Sequence, residues 1–192
     1  MNFIGVIVGI NGSGKTTYAI KILKNVKTNY KRILIINCSG DKQWYNVAKP
    51  ISINDIPLFE GIRQMDLSKS YMNITGKKNR IKFLTLLFKF IRKCVNSLVI
   101  IDDVRIISNS IITEDLKYIC VSHRQRNQDI ILCYHSFKDI QNDIMPHIKH
   151  ITSFKTNDAK LKRSKFNNQD IINKFIKASN TLKPYEYISL CL

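Results

Sequence analysis

Short apolar runs alternate along this chain with segments of helical periodicity. The runs are dominated by aliphatic and β-branched residues with little polar alternation, so both faces of the strands they predict must be covered. The strong strand candidates are FIGVIVG from Phe3, RILIIN from Arg32, SLVIIDD from Ser97 and DIILCYH from Asp129, and weaker candidates are GIRQMDL from Gly61 and HITSF from His150. The pattern predicts an α/β fold with a mostly parallel central sheet flanked by helices.

Helical periodicity is clear in two segments. The first covers residues 15–27 and directly follows the first strand. The second lies within NRIKFLTLLFKFIRKCV, where apolar residues recur at helical spacing at Ile81, Leu84, Leu87, Phe88, Ile91 and Val95. This second helix is also basic, so it could contact a membrane surface or pack its apolar stripe on the sheet. Packing is favoured because a core strand follows.

The charge balance is strongly positive. The 192 residues include 31 Lys or Arg and 14 Asp or Glu, which gives a formal net charge of +17. Such an excess favours a polyanionic partner, and nucleic acid is the first candidate. The alternative is a residue usage rich in Lys, Asn and Ile that has no bearing on binding.

The cysteines and the N-terminus suggest a cellular compartment. None of the five cysteines forms a C-x-x-C pair, as expected for reduced, buried thiols in the cytosol. The opening MNFIGVIVG is predicted to be a core strand and not a signal peptide, since it lacks a basic leader and a cleavage site. No apolar run reaches the roughly 18 residues of a membrane helix. A zinc site is not favoured, because Cys120, His123, Cys133 and His135 lack the spacing of a closed structural site.

A phosphate-binding loop follows the first strand. The segment GINGSGKT from Gly9 satisfies G-x-x-x-x-G-K-[ST] in full, and a helix follows it. Glycines let the backbone N–H groups approach phosphate oxygens at the positive end of that helix. Lys15 is expected to bind the β and γ phosphates and Thr16 to bind Mg²⁺. The predicted nucleotide-binding residues are Gly9, Asn11, Gly12, Ser13, Gly14, Lys15, Thr16 and Thr17.

Two adjacent acids end the strand SLVIIDD. Four apolar residues, 98–101, would carry Asp102 to the carboxyl end of a central strand, where open α/β sheets bind ligands. Asp102 is predicted to hold the metal directly or through a water, as a Walker B carboxylate does. In ATPases of this kind the second acid, here Asp103, activates the attacking water. The alternative is that both acids only end a strand and cap the next segment.

The order of these motifs resembles the FtsK/HerA superfamily of DNA-pumping ATPases. That order is a P-loop strand, a second strand, a strand ending in Asp-Asp, a short helix, and then SHRQRNQDIILCYHS. Within the superfamily the chain resembles viral genome-packaging ATPases and the related zonula-occludens-toxin-like phage assembly proteins. The resemblance covers about residues 1–156 and implies a RecA/FtsK/HerA-like P-loop NTPase domain. Residues 157–192 are predicted to be a basic segment of the same domain, either mobile or a surface helix with a closing edge strand.

The resemblance also implies roles for residues near the strand that starts at Asp129. In the family an Arg precedes this strand and a polar sensor, usually Gln, ends it. Arg124 occupies the matching place, with Arg126 close behind, and His135 stands where Gln is usual. Arg124 is the favoured arginine finger, reaching a neighbouring subunit's γ phosphate. Alternatively both arginines lie on a basic surface loop, and His135 is an ordinary polar residue at a strand end.

The resemblance therefore implies ATP hydrolysis coupled to DNA translocation, most concretely the packaging of a viral genome into a preformed capsid. Its cofactors would be ATP and Mg²⁺. Its partners would be DNA, other copies of the chain in a ring of five or six, and a capsid or virion membrane protein. Its location would be the host cytoplasm or the virion. Phosphate-backbone contact is predicted for the basic residues Lys155, Lys160, Lys162, Arg163 and Lys165, for which a solvated surface is the alternative.

Other interpretations remain open. Trp44 and Tyr45 could stack on a base, but anchoring a helix on the core is favoured. A nucleoside or nucleotide kinase would share the length and the P-loop, with RQRNQ as its lid, although it needs neither the Asp-Asp pair nor the positive charge. An extrusion ATPase of the zonula-occludens-toxin type usually carries a membrane span, which this sequence does not show.

Overall fold

The computed structural model describes residues 2–71, 73–107, 112–161, 166 and 168–192. The strands are β1 (Ile4–Val8), β2 (Arg32–Asn37), β3 (Lys49–Pro50), β4 (Gly61–Asp66), β5 (Ser97–Asp102), β6 (Gln128–Tyr134), β7 (Ile148–Ser153) and β8 (Ile188–Cys191). The helices are α1 (Lys15–Val26), α2 (Leu67–Ser70), α3 (Lys77–Ile91), α4 (Ile112–Ser122) and α5 (Gln169–Ser179). Short 3₁₀ turns connect several of these elements.

The strands form one sheet in the order β3-β4-β2-β5-β6-β1-β7-β8. Every described pairing is parallel except that of β8, which runs antiparallel to β7 at the edge. The mostly parallel α/β fold predicted from the sequence is confirmed, as are all six predicted strands. Because parallel strands end at the same edge of the sheet, the loops after β1, β2, β5 and β6 come together there.

Successive side chains of each strand point to opposite faces of the sheet, and each face is covered by helices. Ile33 and Ile35 of β2 pack on one face against α1 and Trp44. Leu34 and Ile36 of the same strand pack on the other face, where α3, α4 and α5 lie. Both sets are fully buried, which explains why the predicted strands show no alternation of polar residues.

The basic helix α3 packs on the sheet. Its apolar residues Leu84, Leu87, Phe88 and Ile91 are fully buried in the core, as the favoured interpretation predicted. The prediction for Val95 is wrong, because α3 ends at Ile91 and Val95 is 45% exposed. The chain must turn there to enter β5. In the part of the chain that the structure describes, no helix is long and apolar enough to cross a membrane.

The C-terminal segment contacts the sheet at two places. Helix α5 buries Ile172 and Ile176 in the core of the α3 face. Strand β8 pairs with β7 from His150 to Ser153. The Thr156 hydroxyl donates to the Asn180 side chain at 2.7 Å, which joins the end of β7 to the end of α5.

Replacing Phe88 with Ala is expected to lower the free energy of unfolding by about 3–5 kcal/mol, because a large cavity replaces a fully buried ring. Leu86 lies on the same helix and is 38% exposed, so Leu86→Ala is the matched control and should cost less than about 1 kcal/mol. Urea denaturation of both variants measures the difference. Equal losses would show that α3 does not pack on the sheet through Phe88.

Candidate active site

The loop between β1 and α1 needs glycine at several positions for different reasons. A Cβ on Gly9 would lie 2.6 Å from the Ser13 hydroxyl and 2.8 Å from the Phe154 Cβ, so no larger residue fits there. Gly12 and Gly14 have φ angles of 71° and 104°, in the left-handed region that glycine adopts without strain. The loop thus forms a tight glycine-rich turn at the start of α1, the arrangement in which backbone N–H groups bind phosphate.

Lys15 is buried at the base of this loop, with 8% of its surface exposed. Its ammonium group donates hydrogen bonds to the carbonyl oxygens of Gly9 at 2.6 Å and Ile10 at 3.0 Å. Burial lowers the pKa of Lys15 below its ordinary value, and the nearby carboxylates of Asp102 and Asp103 act in the opposite direction. The positive charge is therefore held inside the loop by two neutral oxygens.

A small cavity of about 170 Å³ opens beside the loop. It is lined by Gly12, Ser13, Gly14, Lys15, Thr16, Thr17, Asp41, Gln43 and Tyr185. Within the described residues the Ser13 hydroxyl is buried and has no hydrogen-bond partner. An unpaired buried hydroxyl and a buried ammonium at the N-terminus of a helix match the donors that a phosphate chain requires. Asn11 is exposed on the loop, and the Thr17 hydroxyl donates to Gln43 at 3.1 Å.

Asp102 joins the two nucleotide-binding motifs. Its Oδ2 atom accepts a hydrogen bond from the Thr16 hydroxyl at 3.2 Å and another from the Trp44 indole N–H at 2.8 Å. Burial raises the pKa of Asp102, while these two hydrogen bonds lower it in part. A hydroxyl and a carboxylate side by side are oxygen ligands of the kind that Mg²⁺ takes, so Thr16 and Asp102 fit a magnesium ion.

Trp44 lies in the 3₁₀ turn Lys42–Asn46 that follows β2. Its side chain is fully buried between α1 and the sheet, which confirms the favoured interpretation as an anchor and leaves no face open to a base. Sequence reasoning missed its hydrogen bond to Asp102. A buried indole N–H needs an acceptor, which is the signal that could have indicated such a contact. Tyr45 is 38% exposed, and its hydroxyl bonds to Asp66.

Asp103 forms a small network with two neighbours. Its φ is 59°, an uncommon value for a residue other than glycine. His135 Nε2 lies 3.2 Å from one carboxylate oxygen, and Arg105 donates to both oxygens at 3.2 and 3.4 Å. Burial lowers the pKa of His135, as does the charge of Lys15. Sequence reasoning placed Asp103 and His135 at the site but missed Arg105, which no motif position marks.

Arg124 and Arg126 lie away from this site. They form a 3₁₀ turn directly before β6, whereas the P-loop meets the other end of β6, where the Gly9 N–H donates to the Tyr134 carbonyl at 3.1 Å. The seven residues of β6 span about 20 Å at the rise of an extended strand. Arg126 is held by the Ser122 hydroxyl and the Tyr118 ring. Arg124 is exposed.

The two ends of β6 also separate the cysteine and histidine residues considered for zinc. His123 precedes β6 and its ring contacts the Cys120 carbonyl, while His135 follows β6 and contacts Asp103. Within the described ranges there is no group of three or more His, Cys, Asp or Glu residues placed to hold a metal ion.

The predicted DNA-contact residues are only partly described. Lys155 follows β7 beside the P-loop, where its carbonyl accepts a hydrogen bond from the Ile10 N–H at 3.0 Å. Lys160 is exposed. Lys162, Arg163 and Lys165 lie outside the described residues.

Several solved structures share this fold over nearly the whole chain. The genome-packaging NTPase B204 of Sulfolobus turreted icosahedral virus 2, in complex with ATP-gammaS, is 18% identical with a TM-score of 0.67, covering 99% of this chain and 92% of that one. B204 of Sulfolobus turreted icosahedral virus gives 19% identity and a TM-score of 0.64, covering 100% and 94%. The N-terminal domain of zonular occludens toxin from Neisseria meningitidis gives 16% identity and a TM-score of 0.50, covering 100% and 94%. These are the two groups that the sequence resembled.

Curated relatives share only a short segment with this chain. A stretch of 74 residues is 30% identical to the signal recognition particle protein of Rickettsia felis, covering 36% of this chain and 16% of the relative. The corresponding protein of Rickettsia conorii is 28% identical over 74 residues, with the same coverage. The chain thus matches about a sixth of the length of these relatives.

A family model also matches most of this chain. The model of the Poxvirus A32 protein covers residues 1–182, which include every element from β1 to α5 and both nucleotide-binding motifs. The chain therefore belongs to the Poxvirus A32 protein family.

Proposed function

We propose that this chain is an ATPase that moves DNA into a preformed viral capsid. The observation that carries the proposal is the hydrogen bond between Thr16 and Asp102, which are 86 residues apart and join a complete P-loop to an acidic strand end. Family membership and the likeness to B204, a genome-packaging NTPase, support the choice of DNA packaging among P-loop activities.

The P-loop residues would bind the triphosphate. The ammonium group of Lys15 would exchange its bonds to the Gly9 and Ile10 carbonyls for bonds to phosphate oxygens. The Ser13 hydroxyl would gain the partner that it lacks among the described residues. Binding then stabilises the loop, since it neutralises a buried charge and pairs a buried donor.

Thr16 and Asp102 would hold Mg²⁺. When bound, the ion neutralises charge on the phosphates and helps to orient them for in-line attack. Trp44 positions the Asp102 carboxylate by donating to Oδ2 at 2.8 Å.

Asp103 is the proposed base that orients or deprotonates water. It lies next to Asp102 at the carboxyl end of β5, with 8% of its surface exposed. His135 and Arg105 fix the direction of its carboxylate through contacts of 3.2 to 3.4 Å. His135 would thereby link the end of β6 to the catalytic acid, consistent with the sensor role proposed for it.

Arg124 is proposed to act on a neighbouring subunit. Its own P-loop lies at the other end of β6, about 20 Å away at the rise of a strand. An exposed arginine at that distance can reach a γ phosphate only across an interface between copies. A ring, with five or six subunits by resemblance, would provide such interfaces, and Lys155, Lys160, Lys162, Arg163 and Lys165 are proposed to contact DNA. We also propose that the protein acts in the host cytoplasm or the virion, and that a capsid or membrane protein is its docking partner.

Replacing Lys15 with Ala is expected to reduce the rate of ATP hydrolysis at least about 100-fold, because a preorganised charge at the transferred phosphate is lost. The assay is steady-state hydrolysis with Mg²⁺, with and without long duplex DNA. DNA should raise the wild-type rate and leave the Lys15→Ala rate unchanged.

Lys21→Ala is the matched control, since Lys21 is an exposed lysine of the same helix. Its rate without DNA should equal that of the wild type. If DNA changes nothing and turnover appears only with a nucleoside acceptor, the protein is a kinase and the proposal is wrong.

Replacing Asp102 with Asn is expected to raise the free energy of unfolding of the ligand-free protein at neutral pH. Burial holds the pKa of Asp102 above its ordinary value of 3.8, so the folded state binds a proton more tightly than the unfolded state does. The charged carboxylate therefore destabilises the fold above its folded-state pKa. The gain from Asn should be complete there and shrink as the pH falls toward 3.8.

Urea denaturation at stepped pH measures this difference. Asp103→Asn is the control, because it breaks the ion pair with Arg105 and should not stabilise the protein. With Mg²⁺ and a non-hydrolysable ATP analogue the wild type should be more stable than Asp102→Asn, since the charged carboxylate of Asp102 would then bind the metal. A loss of stability in Asp102→Asn without ligand would contradict the account.

Mixing two inactive variants tests the trans role of Arg124. Arg124→Ala keeps its P-loop and Lys15→Ala keeps its arginine. In a random mixture of equal amounts, an intact P-loop faces an intact Arg124 at about one interface in four. Hydrolysis should recover to about a quarter of the wild-type rate in the mixture, although each variant alone is inactive.

Arg126→Ala replaces Arg124→Ala in the control mixture and in a separate assay. If Arg126→Ala is the inactive variant and complements Lys15→Ala, the finger is Arg126. If Arg124→Ala alone hydrolyses ATP at the wild-type rate, Arg124 has no catalytic role.

A further inference from the structure

We propose that the ring of Tyr185 is the platform on which the base of the bound nucleoside triphosphate stacks. The inference rests on the proposed nucleotide-binding function and adds a residue that contacts the base. Neither of the two nucleotide-binding motifs includes this tyrosine, which lies in the loop between α5 and β8.

Tyr185 stands at the rim of the P-loop cavity. It lines that cavity together with residues 12–17. A Cβ built on Gly14 would lie 3.0 Å from Tyr185 Cδ1 and 3.7 Å from Cε1, so the ring lies directly over the loop backbone. An aromatic side chain is thus placed next to the N–H groups that would bind phosphates.

The size of the cavity indicates where the base must go. Its volume is about 170 Å³ and its lining is mostly polar. Pockets that enclose a whole drug-sized ligand measure about 300–1,000 Å³. The cavity can therefore hold phosphates, while the sugar and the base must extend across its rim, where the Tyr185 ring lies.

The loop that carries Tyr185 is anchored to the P-loop helix by three other aromatic rings. Tyr187 lies 4.6 Å from Tyr18 of α1 and 5.5 Å from Phe154 at the end of β7, measured between ring centroids. Tyr18 and Phe154 also contact each other at 5.7 Å. These contacts hold the loop that carries Tyr185 beside the P-loop before any ligand binds, which reduces the entropy lost on binding.

Tyr185 itself is held in an unfavourable state. The residue is 70% exposed, and its φ of 66° is strained for a residue with a Cβ. The Lys183 N–H donates to the Glu186 carboxylate at 2.9 Å across this turn and helps to maintain it. A base stacked on the ring would cover the exposed aromatic face. Such stacking tolerates any base, because every base has a π face, so ATP and GTP analogues should depend on Tyr185 alike.

The test compares a ligand that has a base with one that has none. Isothermal titration calorimetry would measure the Kd of a non-hydrolysable ATP analogue and of tripolyphosphate, both with Mg²⁺, for the full chain. Tyr185→Ala should weaken the ATP analogue about 10-fold, as expected for the loss of one stacking contact. Tyr185→Phe keeps the ring and should bind both ligands like the wild type, and tripolyphosphate should bind all three proteins equally.

Tyr118→Ala is the matched control, since Tyr118 is an exposed tyrosine that does not line the cavity. It should leave both Kd values unchanged. If Tyr185→Ala binds the ATP analogue like the wild type, or loses tripolyphosphate to the same degree, the stacking role is wrong while nucleotide binding stands. If the wild type binds neither ligand, the proposed function and this inference both fail.

Discussion

One oxygen atom of Asp102 holds the candidate site together. This atom, Oδ2, accepts hydrogen bonds from Thr16 on α1 and from Trp44 in the turn after β2, and Asp102 itself is the last residue of β5. Three segments that are distant in sequence are therefore fixed to one buried charge. Burying a carboxylate is costly unless donors surround it, so each donor position is constrained by the others. The local structure around the P-loop depends on this arrangement, and the same carboxylate is the proposed ligand of Mg²⁺.

Several groups at the site are in energetically unfavourable environments in the ligand-free protein. Burial works against the charged forms of both Lys15 and Asp102, the Ser13 hydroxyl lacks a partner among the described residues, and Asp103 has a left-handed backbone. Such costs persist where the surrounding core is stable enough to impose them. Two fully buried faces of a parallel sheet provide that stability here. Phosphate and metal would relieve the electrostatic part of these costs, so binding and folding are coupled at this site.

The sequence predicted the parts of the structure that local pattern controls. The P-loop is contiguous, and the core strands β1, β2, β5 and β6 are built on apolar runs, so both could be recognised directly. The sequence did not reveal which contacts form at the site through Trp44, Arg105 and Tyr185. Tertiary packing brings these residues there, and no spacing in the sequence indicates it. At Val95 the pattern predicted too long a helix, since the helical spacing of apolar residues continues past the point where the chain turns into β5. The carboxyl edge of the sheet was predictable as a location, but the partners of each side chain there were not.

The carboxyl and amino ends of the parallel strands would have different roles in an assembly of subunits. Parallel strands place the P-loop, Asp102 and Asp103 at the carboxyl edge and Arg124 before the amino end of β6. A self-complementary pair of subunits would join the same surface of each copy. Contact between an amino edge and a carboxyl edge instead joins different surfaces, and repeating it produces a closed ring when the rotation between copies allows closure. If Arg124 completes a neighbour's site, each nucleotide then bridges two subunits, and hydrolysis changes the contact between them. In the proposed ring, the geometry of a parallel sheet would thus provide a direct physical route from phosphate chemistry to relative motion of subunits around DNA.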